Sequence, residues 1–141
     1  MADQLYPCLW FDGQAKAAAD FYCSIFKNSK VTYDSPMVVF FELNGEKIMG
    51  LNGGPEFKFN EAFSLVVSCE TQEEIDNYWN KLTADGGNES MCGWLKDKFG
   101  FSWQIVPSII GSLMSDPEKA PRVMQAIMQM KKIDIKKLIN A

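Results

Sequence analysis

The chain contains no histidine, and its four cysteines, Cys8, Cys23, Cys69 and Cys92, show no C-x-x-C spacing. Without imidazole there is no Ser/His or Cys/His nucleophile system, no 2-His-1-carboxylate iron site and no group that titrates near neutrality unperturbed. Any general base is then a shifted carboxylate, cysteine or lysine. The cysteine spacing excludes the common zinc and dithiol patterns, and all four lie in apolar segments. They are expected to be small buried hydrophobes of a reducing compartment. Basic residues are also scarce, with 14 Lys and Arg against 18 Asp and Glu and a net charge of −4. A nucleic-acid partner is therefore not expected, since binding needs cations that displace counterions from phosphates. No apolar run approaches the roughly 18 residues of a membrane span. The opening Met1-Ala2-Asp3-Gln4 also lacks the basic and apolar pattern of a secretory leader. A cytoplasmic location without membrane association is the expectation. What is present, 47% apolar and 13% aromatic residues in 141 positions, suffices for the core of a single domain over 1–141.

The patterning comes in two similar halves. Leu5 to Phe11 is an apolar run suited to a strand, and Asp12 is placed to cap a helix from about Gln14 to Phe26. Its apolar face is Ala15, Ala18, Ala19, Tyr22, Ile25 and Phe26. A short strand near Val31 follows, then strands from Met37 to Leu43 and from Glu46 to Leu51. Asn44-Gly45 between them is a strong hairpin signal, because both residue types tolerate positive φ. The order then recurs. Phe63 to Ser68 reads as a strand, and Thr71-Gln72-Glu73-Glu74 is a capping box before a helix with Ile75, Tyr78, Trp79 and Leu82 on one face. A shift of 57 positions lays Ala18, Phe21, Tyr22 and Ile25 on those four. Gly86-Gly87 ends the helix; short strands near 88–91 and 93–98 and a strand from Ser102 to Pro107 complete the half.

Each half is thus βαβββ, with modules at about 5–52 and 63–107, and the fold class is α+β. One such unit cannot bury both faces of its sheet. Two units are expected to pair edge to edge or to swap between two chains, leaving a ligand groove, and a homodimer is the expected assembly. The remainder, about 108–141, reads as a helical tail. It has a short segment with Ile109, Ile110, Leu113 and Met114. Asp116-Pro117-Glu118 then reads as cap, first position and first-turn acid of a helix carrying Val123, Met124, Ile127 and Met128. Lys131, Lys132, Lys136 and Lys137 read as a solvated face with favourable helix-end charge.

Alternation along the last strand of the second half puts Ser102, Gln104 and Val106 on one face and Trp103 and Ile105 on the other. With matching registers, Ser64 and Val66 share the face of Gln104, and Phe11 joins them from the first strand. Phe57, Phe59 and Trp94 are placed to close the mouth of an apolar pocket with a few polar anchors. Glu56 and Glu61 flank Phe57-Lys58-Phe59-Asn60 and read as solvation of a loop. Gly53-Gly54-Pro55 has no helical pattern after it, so it reads as the turn between modules and not as a nucleotide cradle.

Several segments together, Pro7 to Ala15, Asp20-Phe21-Tyr22, Leu51 to Glu61, Cys92 to Pro107 and Met130 to Ile135, resemble the PhnB-like group. That group is also called 3-demethylubiquinone-9 3-methyltransferase-like. It is similar in turn to the vicinal oxygen chelate superfamily, the glyoxalase/bleomycin resistance/dihydroxybiphenyl dioxygenase-like fold, whose enzymes hold one divalent metal with one side chain from each of the first and last strands of two modules. The resemblance carries those metal positions to near Pro7, to Met49–Leu51, to Ser64 and to Gln104. Of these only Gln104 is a reasonable ligand, and one neutral amide does not replace imidazoles and carboxylates. No metal and no other cofactor is expected, and an alternative site would have to be built from carboxylates such as Glu42, Glu56 or Glu61.

The leading expectation is a metal-independent, small-molecule binding protein using Phe11, Phe57, Phe59, Ser64, Trp94 and Gln104. Whether it is also an enzyme is left open by these residues. One alternative implied by the resemblance is a metal-assisted lyase or transferase, or a methyltransferase. The other is an interaction protein whose groove is packed shut.

Overall fold

The computed structural model describes residues 4–141, and its contacts divide the chain into two compact units, Met1–Phe59 and Asn60–Ala141. The first unit runs β1 (Cys8–Phe11), α1 (Ala15–Ile25), β2 (Lys30–Asp34), β3 (Val38–Leu43) and β4 (Glu46–Asn52). The second begins β5 (Ser64–Cys69), α2 (Gln72–Thr83), β6 (Asn88–Glu89), β7 (Trp94–Lys96) and β8 (Ser102–Pro107). Each unit is therefore the βαβββ module expected from the patterning.

In the first unit the strand order is β1-β4-β3-β2. Strand β1 lies parallel to β4, while β4, β3 and β2 are antiparallel neighbours. The β3–β4 hairpin turns at Asn44-Gly45, whose φ values of 52° and 82° are those of a two-residue primed turn. Ala15, Ala18, Ala19, Tyr22 and Ile25 of α1 are buried, as their helical spacing requires. They cover the sheet face that carries Leu9, Val39, Phe41 and Ile48. Gly50 lies on that face too, where a Cβ would sit 3.2 Å from the Ala15 methyl.

Three local expectations are corrected here. Asp12 does not cap α1: Gln14 precedes the helix without a side-chain cap, and the free Ala15 N–H donates to Asn52 Oδ1 at 2.9 Å. The cap comes from the end of β4, a contact that no local pattern encodes. Cysteine burial is uneven, because strand alternation turns Cys8 away from the helix. Cys8 is exposed, Cys23 and Cys92 are half-buried, only Cys69 is buried, and all four are free thiols. Phe11 falls on the helix-covered side together with Leu9 and is only 3% exposed. It therefore does not share the open face, which Trp10 occupies instead.

The second unit repeats the plan with order β5-β8-β7-β6 and β5 parallel to β8. Its helix starts on the expected capping box, with the Glu74 N–H donating to Thr71 Oγ1 at 3.2 Å. Ile75, Trp79 and Leu82 form its buried stripe. The Trp79 indole N–H donates to Glu89 Oε2 at 2.6 Å, so a buried tryptophan keeps its polar atom satisfied. The turn from β7 into β8 is organised by Asp97, a buried residue at 2% exposure. Its Oδ1 accepts from the Phe99 and Phe101 N–H groups at 2.8 and 3.1 Å. Its Oδ2 accepts from the Trp103 indole at 2.8 Å.

The tail forms α3 (Ile110–Met114), α4 (Ala120–Met128) and α5 (Ile135–Ile139). Asp116 does not cap α4. Its Oδ1 instead accepts from Glu118 and Lys119 N–H groups in a preceding turn, and the helix starts at Ala120. Pro121 has no N–H to return to that turn, which delays the regular helix. The apolar stripe is also narrower than expected. Val123 and Ile127 are buried with Ile133 and Leu138, whereas Met124 and Met128 are 44% and 57% exposed. The tail is held by backbone bonds from Cys92 N–H to Met130 O (2.7 Å) and from Gly93 N–H to Lys131 O (2.8 Å). Gln72 adds a clamp, donating to Ile133 O at 3.0 Å and accepting from Ile135 N–H at 2.9 Å.

Candidate functional site

Alternation sorts the second sheet into a face against α2 and an open face. Trp103 and Ile105 go to the former and are buried. Gln104 and Ser64 go to the latter, where Gln104 Nε2 donates to Ser64 Oγ at 3.0 Å. Gln104 lies between Val66 on β5 and Trp94 on β7 by register, and Val66 is 58% exposed. The structure thus brings Ser64, Trp94 and Gln104 together as a polar pair beside an indole and an exposed valine.

The other three sequence-derived residues belong to the first unit and serve it in different ways. Phe11 packs edge-on against Phe59, with ring centroids 5.3 Å apart, as part of the helix-side core. Phe57 stands edge-on to Trp10 at 4.9 Å and is 63% exposed. The Trp10 indole N–H donates to Gly54 O at 2.8 Å, and its ring lies so close to Gly53 that a Cβ there would meet it at 2.3 Å. Gly53 is explained by this indole and Gly54 by its φ of 100°, and no helix follows the pair before β5. It is not built as a nucleotide cradle.

An open cleft of about 520 Å³ lies further along the open face of the second sheet, bordered by Glu61, Asn88, Met91, Trp94, Lys96 and Ser102. Lys96 is ion-paired to Glu61, and the hydrogen bond from that ammonium holds the Glu61 carboxyl below the usual carboxylate range. Glu61 is exposed, so the pair is a weak, salt-screened contact. It is present above the ordinary carboxylate range and is lost as pH falls through the lowered Glu61 value. Sequence reasoning placed Ser102 on the face of Gln104 but did not single out Lys96. The signal for Lys96 is the β7–β8 register, which follows once the Asp97–Gly100 turn is fixed.

No group of three or more Cys, Asp or Glu side chains among the described residues is placed to hold a metal ion. The positions carried over from the resemblance are equally poor in donors. At the first unit's pair, the Met49 N–H donates to Pro7 O at 3.0 Å, and at the second the Gln104 amide is turned to Ser64. A proline, a methionine, a serine and one amide do not form a divalent-metal site. Nor are Cys8, Cys23 and Cys69 activated thiols: burial pushes Cys69 up to about 11 and raises Cys23, and partial desolvation raises the exposed Cys8, so these stay protonated at neutral pH.

Comparison with known proteins agrees with this architecture. The family described as 3-demethylubiquinone-9 3-methyltransferase matches residues 3–106. A PhnB protein from Bacillus cereus that carries the same methyltransferase name is 34% identical; the match covers 75% of this chain and all of that one, with a TM-score of 0.67. Protein PA1353 from Pseudomonas aeruginosa is 19% identical over 75% of this chain and 98% of its own, with a TM-score of 0.61. The fosfomycin resistance protein FosX from Listeria monocytogenes, solved with Mn(II) and sulfate, is 16% identical over 81% and 96%, with a TM-score of 0.60. The last two likenesses are of fold. No curated protein matches the chain. With two βαβββ modules and this match across most of its length, the chain belongs to the PhnB-like 3-demethylubiquinone-9 3-methyltransferase family.

Proposed function

We propose that the protein binds a small organic molecule, without a metal, on the open face of its second sheet. Gln104 and Ser64 are the polar anchors, and Trp94 and Val66 supply the apolar wall. The observation that carries this reading is the Gln104–Ser64 hydrogen bond on a solvent-accessible sheet face beside an indole. A few oriented polar groups on an apolar lining are what small-molecule sites require. A homodimer in the cytoplasm is part of the same proposal. No helix of the described residues is long and apolar enough to cross a membrane.

Gln104→Leu is expected to weaken binding of an organic molecule that native mass spectrometry finds retained by the parent protein at least about tenfold, the equivalent of one lost hydrogen bond to a ligand. Its unfolding free energy should change by less than about 1 kcal/mol, because the side chain is only half-buried. Isothermal titration paired with thermal melts measures both. Undiminished uptake would remove Gln104 from the site.

The enzymatic alternatives make a different prediction for the melting temperature. A resident metal or a methyl donor that binds the folded chain raises the melting temperature by mass action. The proposal predicts no shift with millimolar Mn²⁺ or with S-adenosylmethionine. A saturable rise with either would replace this reading with a metal-assisted or methyl-transfer enzyme.

A further inference from the structure

The strand registers align Ser64, Ser102, Lys96 and Asn88 in one polar row across β5, β8, β7 and β6. Within that row Ser102 has no exposed surface, and its Oγ has no hydrogen-bond partner. It is the one such side-chain atom found among the described residues. Native structures seldom leave a buried hydroxyl unpaired unless another group completes it. Ser102 is among the residues that border the 520 Å³ cleft.

Beside it lies Lys96, which is the direct register partner of Ser102. Side chains directly opposite on one sheet face have Cβ atoms about 5 Å apart, so one small group can touch both. The ammonium of Lys96 is occupied by the Glu61 carboxylate, and that pair is solvent-exposed on both sides. An exposed ion pair of this kind is easily exchanged. Glu61 therefore shows where a carboxylate sits on Lys96, and Ser102 is a second donor still lacking an acceptor. Among the described residues Lys96 is the one cation on the cleft lining; the remaining acid, Glu89, stays a carboxylate but is turned to the Trp79 indole. Trp94 and Met91 provide the apolar wall.

We propose that this cleft recognises a small molecule with one carboxylate on a flat apolar body. The ligand carboxylate takes the place of Glu61 on Lys96 and accepts the Ser102 hydroxyl, while the body packs on Trp94 and Met91. This rests on the reading that the open face of the second sheet binds small molecules, and it names the ligand class. Glu61 acts as a resident stand-in that closes the cleft when no ligand is bound.

The test is an amide-resolved NMR titration of the full chain with benzoate, neutral benzamide and cationic benzamidine, each to about 10 mM, the range in which fragment-sized ligands bind. Benzoate should shift the amides of Trp94 to Lys96 and Ser102 to Gln104, with benzamide at least about tenfold weaker and benzamidine without effect there. Lys96→Met should abolish the response, and Ser102→Ala should weaken it about tenfold. Glu61→Gln should strengthen it several-fold, because the competing carboxylate is gone. Ser102→Ala should also melt no lower than the parent, since it deletes an unpaired hydroxyl, so lost binding cannot be blamed on misfolding.

Equal binding of benzamide, a preference for benzamidine, or no benzoate response would overturn the proposal. A benzoate response lost in Gln104→Leu but retained in Lys96→Met would also overturn it, yet would leave the small-molecule reading around Gln104 standing.

Discussion

Asp97→Ala is expected to lower the unfolding free energy by about 3–5 kcal/mol, because three N–H donors lose one acceptor group in a buried place. Those donors are the Phe99 and Phe101 amides and the Trp103 indole. The first two shape the turn that feeds β8, and the third fixes a buried tryptophan of the second unit's core. The loss is a large part of the about 5–15 kcal/mol that holds a typical domain together. Urea unfolding followed by tryptophan fluorescence measures it: the midpoint should fall sharply with little change in slope. Asp97→Asn separates the contributions. Its amide oxygen can still accept from the backbone, but its NH₂ meets the Trp103 N–H donor to donor, so about 1–3 kcal/mol should still be lost. A midpoint unchanged in Asp97→Ala would mean that the turn is held by something else.

The second large effect is expected at Gly93. Its φ is +83°, which costs a side-chain-bearing residue about 1–2 kcal/mol. An added Cβ would also lie 2.9 Å from the Ile105 carbonyl oxygen and 3.0 Å from Ile133 Cγ1. Part of the penalty is returned because alanine restricts the unfolded chain, by about 0.4–1 kcal/mol. Gly93→Ala should therefore cost about 2–4 kcal/mol in all. The strain falls where the tail is tied on, since the Gly93 N–H donates to Lys131 O. Limited proteolysis should then release the segment after Pro107 well before the sheets are cut. Gly111→Ala is the matching control: the residue is helical, has no positive φ and has open space around it, so it should be neutral or slightly stabilising. If both variants melt alike, the close approach at Gly93 does not constrain the molecule.

Much of the fold is legible in the sequence because local pattern and burial agree. The shift of 57 positions pairs Ala18, Tyr22 and Ile25 with Ile75, Trp79 and Leu82, and all six are buried against their own sheets. Asn44-Gly45 and the Thr71–Glu74 box act within a few residues and form as their chemistry requires. What the pattern misses is long-range or a matter of parity. Leu5 to Phe11 is apolar throughout, so periodicity cannot say which residues face the helix, and Phe11, expected on the open face, lies on the helix side. The cap of α1 comes from Asn52, 37 residues away. Helix α5, capped by Asp134 through the Lys137 N–H at 3.1 Å, lies within a stretch expected only to be helical.

The site follows the same division. Ser64 and Gln104 lie on one face because β5 and β8 run parallel in matched register, and strand alternation alone suggests it. The neighbouring row is harder to read. Ser102, Lys96 and Asn88 come from three strands, two of them only two and three residues long. A one-residue slip in either would scatter them to opposite faces. That register depends on the Asp97 turn, which is why a residue with no place in the ligand site still decides its geometry.

Native mass spectrometry of the gently purified protein tests the central claim most directly, because one spectrum reports subunit number, bound metal and any retained organic molecule. The account predicts a metal-free dimer with an additional organic mass, lost from Gln104→Leu. A spectrum with one divalent ion per chain, removed only by chelation, would contradict it.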